Sequence, residues 1–193
     1  MRRKPTRRRD AASTRAAILA SARKVFARSG HDGAGLREIA SGAGVTAMLV
    51  SRYFGSKEKL FAEVVAATMA EPTILTPAIL GSRTRGADIA AALVGLTGKG
   101  DTPLEGFQIM LRSASSKRAA EIGRRQIEKR YQMLLASALG GNLAAERAAV
   151  VFCLVAGVQV MRQMIGLSAL AEAKPAVLAA ILGPLFELLV AGG

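Results

Sequence analysis

The chain has 193 residues, of which 51% are hydrophobic and 4% aromatic, and its formal net charge is +13. One histidine and one cysteine exclude an intrachain disulfide and a multi-histidine metal site. The low aromatic content with many Ala and Leu residues favours an all-α fold over a sheet.

The positive charge is concentrated near the N-terminus. Residues 1–60 carry a net charge of +10, whereas the remaining residues carry +3. A basic third joined to a near-neutral remainder is typical of an anion-binding module attached to a second region, with nucleic acid favoured and an anionic membrane surface as the alternative. Residues 1–10 hold six basic residues and no apolar face, so we expect a disordered arm.

No secretory signal is visible after the basic start. The longest uncharged apolar run, Ala148 to Met161, has 14 residues and lies between Arg147 and Arg162. Because a membrane-spanning helix needs about 20 residues, we expect no membrane partner. The single Cys153 inside this run fits a reducing cytoplasm.

The stretch LREIASGAGVTAMLVSRYFGSK, residues 36–57, has the spacing of a helix-turn-helix. Ala40 is small where two helices would cross, Gly44 permits the positive φ of a tight turn, and Val50 supplies a buried apolar contact. A helix from Ser13 or Thr14 to Ser29 precedes it, followed by a loop over residues 31–35. The recognition helix is predicted at about Thr46 to Phe54.

Six further helices follow in the predicted order. Ser56 caps a helix that reaches about residue 70, and later helices cover 87–97, a segment starting near 105, 117–139, 142–166 and 175–190. The helix at 142–166 is apolar almost all round, so it must be covered on every side. We expect the last two helices of two copies to form a four-helix dimer interface.

The chain resembles the TetR family of bacterial transcriptional regulators. The likeness rests on ASTRAAILASARKVFARSG from residue 11, LREIASGAGV from residue 36 and SRYFGSKEKLF from residue 51. LRSASS (111–116) and the Arg-bearing penultimate helix are similar to an actinobacterial-type subgroup. The resemblance implies about nine helices, a helix-turn-helix DNA-binding domain over 11–57 with its motif at about 36–54, and a helical regulatory and dimerisation domain over 58–193.

By the same resemblance, the DNA contacts fall on a defined set of positions: Arg37, Thr46, Ala47, Met48, Leu49, Ser51, Arg52, Tyr53 and Lys57, with Arg7, Arg8 and Arg9 added from the arm. Arg37 suits guanine or phosphate, and Lys57 suits phosphate. The alternatives are a solvated charge for Arg37, capping alone for Thr46, and a purely structural role for Met48 and Leu49.

Two positions depart from the family pattern. Gly35 stands where the family often has Ser or Thr, and Ser51 stands where it often has an aromatic residue. Both family residues are phosphate contacts. The basic arm can compensate by following the backbone or entering an A·T-rich minor groove, or it can raise non-specific affinity alone.

The resemblance also implies an unknown small-molecule effector bound inside the C-terminal helices. The candidate ligand residues are Phe107, Met110, Met133, Gln159 and Arg162, although a methionine stripe is also typical of ordinary core packing. Arg162 lies near an apolar face, where its charge needs a partner. An acidic ligand, Glu187 or a backbone carbonyl would each serve.

These patterns together predict a cytoplasmic, nucleoid-associated bacterial regulator rather than an enzyme. No Walker or Rossmann glycine pattern accompanies the lone His31 and Cys153, and neither a cofactor nor a metal is expected. We expect a homodimeric repressor that an effector releases from a pseudo-palindromic double-stranded operator. The alternative is an architectural or anionic-surface-binding protein that uses its basic arm without reading bases.

Overall fold

The computed structural model describes residues 6–68, 74–98, 105–129 and 133–191; the side chains of residues 6–9, 133 and 134 lie outside this description. Over these ranges the regular structure is helical and contains no strand, which confirms the predicted all-α class. The helices are α1 (Thr6–Gly33), α2 (Leu36–Gly42), α3 (Ala47–Phe54), α4 (Lys57–Thr68), α5 (Pro77–Leu80), α6 (Arg85–Leu96), α7 (Glu105–Ser113), α8 (Lys117–Ile127), α9 (Met133–Leu139), α10 (Ala144–Gln159), α11 (Ser168–Ala171) and α12 (Pro175–Ala191). A π-helical turn, Val160–Met164, continues α10.

The helices form two compact units. The first comprises Met1–Ala70 and Glu105–Gln126, and the second comprises Glu71–Leu104 and Ile127–Gly193. The sequence places a domain boundary after residue 57, whereas the first unit also includes α4, α7 and nearly all of α8. Two helices from the middle of the chain therefore complete the unit that holds the helix-turn-helix.

The hydrophobic core of the first unit is built on α1, α2, α3 and α4, with one buried hydrophobic residue each from α7 and α8. Ile18, Phe26, Ile39, Leu60 and Phe61 are fully buried, and Ile109 of α7 and Ala119 of α8 belong to the same cluster. Burial of this kind stabilises a fold by about 1.5–3 kcal/mol for each large side chain.

The first helix differs from its prediction at both ends. It includes residues 6–10, which the sequence assigns to a disordered arm, because arginine and alanine are good helix formers. At Gly30 the backbone turns to φ 65°, and helix resumes through Gly33 where a loop is predicted. A Cβ on Gly30 would lie 2.4 Å from the carbonyl oxygen of Arg112, so glycine allows α1 and α7 to approach closely.

The second unit is organised around α6, which packs along α12. Ile89 and Leu93 of α6 and Phe186 of α12 are fully buried in its core. A Cβ on Gly86 would lie 2.5 Å from the backbone nitrogen of Glu187, which shows how close the two helices are. Small residues on α6 thus determine the crossing.

The predicted helix 117–139 is not continuous as an α-helix. The described part contains α8, a π-type turn at residues 128–129, and α9 beginning at Met133. The buried residues also change unit along this stretch: Ala119 and Gly123 lie in the first unit, and Leu135 and Leu139 lie in the second. The apolar side chains that the sequence assigns to one helical face therefore contribute to two different cores.

The apolar helix near the C-terminus lies within the predicted range of 142–166. Ala144–Met164 forms 21 helical residues and, by length and composition alone, is long and apolar enough to cross a membrane. It is longer than the 14-residue uncharged run because Arg147 and Arg162, which bound that run, lie within the helix. Both arginines donate hydrogen bonds to backbone carbonyls, Arg147 to that of Leu189 and Arg162 to that of Val94.

Candidate nucleic-acid interface

The helix-turn-helix forms where the sequence predicts it. Ala40 and Val50 are buried, and Gly44 has φ +66° in the turn between α2 and α3. Gly42 adds a constraint that the spacing alone does not reveal, because a Cβ there would lie 2.4 Å from the Oγ of Ser21. The Ser21 hydroxyl itself donates to the carbonyl of Ile39 at 2.8 Å, so it fixes α2 against α1.

The recognition helix α3 buries one face and exposes the other. Thr46 caps it by accepting a hydrogen bond from the amide of Leu49 at 3.3 Å. Val50 and Phe54 point into the core, and Ala47 and Tyr53 are half-buried against it. The outward face carries Met48, Ser51 and Arg52, with Leu49 half-buried beside them. Met48 is 82% exposed, an unusual position for a large apolar side chain that meets only water.

Two cations flank α3 in the sequence. Arg37 lies exposed in the first turn of α2. Lys57 begins α4, and its ammonium donates to the carbonyl of Ala34 at 3.3 Å. Ser56 accepts a hydrogen bond from the amide of Lys59 and so caps α4. Basic side chains beside free backbone amides of a helix N-terminus favour phosphate oxygens.

Two carboxylates near Lys57 are held in their charged form. Hydrogen bonds from His31 and then Ser116 lower the pKa of Asp32, and the charge of Lys57 adds a smaller effect. A hydrogen bond from Ser56 and one from its own backbone amide lower the pKa of Glu58. Both acids have local hydrogen-bond donors, and no ion pair joins either of them to Lys57 or Lys59 among the described residues.

Sequence reasoning missed the role of His31, which was assigned to a loop. Its ring is 4% exposed and lies 5.1 Å from the ring of Phe61, centroid to centroid. Nδ1 is 2.7 Å from a carboxylate oxygen of Asp32, while Nε2 is buried without a hydrogen-bond partner in the described structure. His31 is therefore a core residue that positions Asp32, and its glycine-rich sequence surroundings gave no signal of this.

Comparisons with known proteins agree with this geometry. A family model described as "Tetracyclin repressor-like, C-terminal domain" matches residues 84–190, and one described as "Bacterial regulatory proteins, tetR family" matches residues 18–64. The chain belongs to the TetR family. No curated protein matches it. TetR-family regulators are generally non-enzymatic transcription factors that bind DNA.

Several solved structures are similar to this TetR-family chain over nearly its whole length. A TetR-family regulator from Streptomyces coelicolor A3 has 26% identity and a TM-score of 0.59, covering 98% of this chain and 99% of that one. A transcriptional regulator from Rhodococcus sp. Rha1 has 26% identity and a TM-score of 0.62, covering 90% and 94%. NalD of Pseudomonas aeruginosa, the secondary repressor of the MexAB-OprM multidrug efflux pump, shares the fold at 20% identity and TM-score 0.64, covering 94% and 97%.

The predicted effector residues of this TetR protein do not lie in one unit. Phe107 and Met110 lie on α7 in the first unit, whereas Gln159 and Arg162 lie in the second. The side chain of Met133 lies outside the described residues, as do those of Arg7, Arg8 and Arg9. The described candidates thus fall into two pairs, one on α7 and one at the end of α10 and in the turn that continues it.

The buried Arg162 is bound by backbone and hydroxyl oxygens. Its Nη1 donates to the carbonyl of Val94 at 2.7 Å and to Oγ1 of Thr97 at 2.8 Å, and its Nε donates to the carbonyl of Leu170 at 3.1 Å. Glu187, one of its possible partners, instead accepts from the amide of Gly86 at 3.0 Å. A cation thus lies at the C-terminus of α6 and an anion at its N-terminus, the arrangement that the helix dipole favours.

Proposed function

We propose that this TetR-family chain is a dimeric, sequence-specific repressor that reads a pseudo-palindromic operator and is released by a small-molecule effector in the bacterial cytoplasm. The observation that carries the proposal is the outward face of α3, where Met48, Ser51 and Arg52 are exposed on a capped, well-anchored helix. A buried face fixes the helix, and the other face is available to a major groove.

The exposed side chains match the chemistry of DNA. Met48 suits a thymine methyl group, and Arg52 suits a guanine edge or a phosphate. Arg37 and Lys57 supply donors for the backbone on either side of the recognition helix. Thr46 and Tyr53 add hydroxyl groups next to the same surface, while Ala47, Leu49 and Ser51 are small or apolar enough to permit close approach.

The DNA proposal is tested by binding to a selected operator and to scrambled DNA of equal length. A sequence-specific regulator retains a preference of at least about 10³ for the operator. Arg37→Ala weakens operator binding by about 1–3 kcal/mol and relaxes base preference. Equal competition by scrambled DNA would instead favour a non-specific binder that uses its basic arm. An unchanged affinity of the Arg37 variant would show that Arg37 does not contact the operator.

The proposed dimer interface is an exposed apolar face of the second unit. On α12 the exposed side chains recur with helical spacing at Val177, Ile181, Leu185 and Leu188, and Leu188 is 77% exposed. On α10 the exposed positions Ala149, Cys153 and Gly157 are small, which permits close helix approach. An apolar face of this extent is typical of a surface that another copy covers.

Leu188→Glu tests this interface by light scattering after size exclusion. The charge is tolerated in the protomer, where the side chain already faces solvent, but it is costly inside an apolar interface. We expect a monomer with unchanged helicity. Leu111→Glu, the same substitution at an exposed position of the first unit, remains dimeric. A monomeric wild type, or a dimeric Leu188 variant, would contradict the interface.

Gln159 is the strongest candidate for an effector contact. It is 3% exposed at the end of α10 and lies three residues before the buried Arg162. A buried amide can donate to and accept from a polar ligand group in an otherwise apolar core. Gln159→Leu should therefore lower the affinity for an effector recovered with the purified chain, while the side chain of similar size leaves the free protein about as stable as wild type. A stability loss comparable to that of a core deletion would oppose this role.

A further inference from the structure

The first unit carries a second basic surface on α8, separate from the helix-turn-helix. Within residues 117–129 the sequence has five Lys and Arg residues and two Glu residues. Ala119 is buried in the core of the first unit, and Ile122 packs against that core. The opposite face therefore turns outward and exposes Lys117, Arg118, Arg124 and Arg125.

The first turn of α8 lies next to the segment that leads into the helix-turn-helix. The amide of His31 donates to the hydroxyl of Ser113 at 2.9 Å, which anchors the α7–α8 turn to the end of α1. Three residues after His31, the carbonyl of Ala34 accepts from the ammonium of Lys57. A short run of backbone thus connects the start of α8 with the proposed phosphate contact at Lys57.

Electrostatic effects show the same proximity. The hydroxyl of Ser116, directly before α8, contributes to the lowered pKa of Asp32, to which the charge of Lys57 also contributes. The charge of Arg118 contributes in the same direction to the pKa of Glu58, next to Lys57. The first turns of α4 and α8 therefore lie within electrostatic range of each other.

The cations at the start of α8 are available to an external partner. No ion pair involves Lys117 in the described part of the chain, and Arg118 is 3.6 Å from a Glu121 carboxylate oxygen with 66% of its side chain exposed. Glu121 is shared with Arg125. Asp32 and Glu58 remain charged, but no ion pair joins either of them to Lys117 or Arg118 among the described residues.

We propose that Lys117 and Arg118 form an accessory DNA-backbone site, which binds phosphates of the same duplex that α3 reads. Two adjacent exposed basic side chains can bind backbone phosphates, and such contacts add affinity without sequence information. This inference rests on the proposed DNA-binding function, because the duplex must first be placed by the helix-turn-helix.

The test compares the double variant Lys117→Gln/Arg118→Gln with two matched controls. Arg83→Gln/Lys174→Gln removes the same charge from exposed positions of the second unit. Lys117→Arg/Arg118→Lys keeps both charges in place. The affinity of each protein for operator and scrambled duplexes is measured between about 0.05 and 0.3 M salt, because phosphate contacts appear as a dependence of affinity on salt. Circular dichroism verifies the helicity of each variant.

Loss of two phosphate contacts per subunit makes the slope of log K against log salt shallower by about 3.6 in the dimer. Affinity at about 0.15 M salt then falls about 10³-fold, equally for operator and scrambled DNA. The charge-retaining swap binds like wild type, and the pair on the second unit changes affinity far less. If the two glutamine pairs give the same affinity and slope, the accessory site is wrong.

The two proposals fail in different ways. The preference of the wild-type protein for operator over scrambled DNA tests the proposed function. The ratio of the affinities of the α8 variant and of its second-unit control tests the accessory site, on either duplex. A wild type without sequence preference that still loses affinity in the α8 variant would overturn the first proposal and support the second.

Discussion

Replacement of Arg162 by methionine should destabilise the free protein substantially. Methionine keeps an apolar stem but removes the donors to the carbonyls of Val94 and Leu170 and to the hydroxyl of Thr97. A buried acceptor left without a partner costs about 1 kcal/mol or more, so the two carbonyls give a loss of about 2 kcal/mol. The Thr97 hydroxyl adds less because it still donates to the carbonyl of Leu93. For a chain of this length, that corresponds to a fall in Tm of about 4–8 °C.

The measurement is urea unfolding followed by far-ultraviolet circular dichroism at one fixed protomer concentration, since dimerisation makes stability concentration-dependent. Gln163→Met is the matched control, because the neighbouring amide reaches the carbonyl of Leu96 only at 3.5 Å. We expect a loss below about 1 kcal/mol for this control. Equal stability of the Arg162 variant and wild type would refute the view that this guanidinium stabilises the end of α6 and would return it to the effector candidates.

Three further substitutions test the N-terminal unit. Gly42→Ala forces the Ser21 hydroxyl away from its hydrogen bond to the carbonyl of Ile39, so the free energy of unfolding should fall by about 1–3 kcal/mol in thermal unfolding. An unchanged Tm would show that the structure accommodates the added methyl group. Met48→Ala should leave the free energy of unfolding within about 0.5 kcal/mol of wild type because the side chain is exposed. The same substitution should weaken operator binding in a fluorescence-anisotropy titration, and unchanged binding would show that Met48 does not contact the groove. The pKa of Asp32 is lower than its ordinary 3.8, so its carboxylate stabilises the fold fully above about pH 4 and ceases to do so as the pH falls through the lower folded value. Asp32→Asn should therefore flatten the acid branch of a stability-against-pH curve, and an unaltered branch would contradict this.

The helix-turn-helix was predictable from the sequence because its constraints are local. A small residue at the crossing, a glycine with positive φ and a buried valine recur at fixed intervals, and Ala40, Gly44 and Val50 take up those roles. Thr46 and Ser56 were also predictable caps, since their hydroxyl groups bond to amides three residues later. The resemblance to the TetR family then allowed the DNA-contact positions of this helix-turn-helix to be predicted.

The remaining features depend on tertiary packing. The α-helix of α8 ends in a π-type turn at residues 128–129, and the buried residues before and after this turn belong to different cores, which no periodicity shows. Arg162 needed a partner by any reading of the sequence, but the choice of Val94, Thr97 and Leu170 over Glu187 follows from the position of α6. The same holds for His31, whose ring is buried beside Phe61 despite its glycine-rich surroundings.

Selection of bound duplexes from a random pool, with the purified full-length chain, tests the central claim most directly. Two copies that each present α3 to a major groove should enrich a pseudo-palindrome whose half-sites lie about one helical turn apart, roughly 34–36 Å. A single unpaired half-site would contradict the dimeric reader, and a pool without any enriched sequence would contradict base recognition by α3.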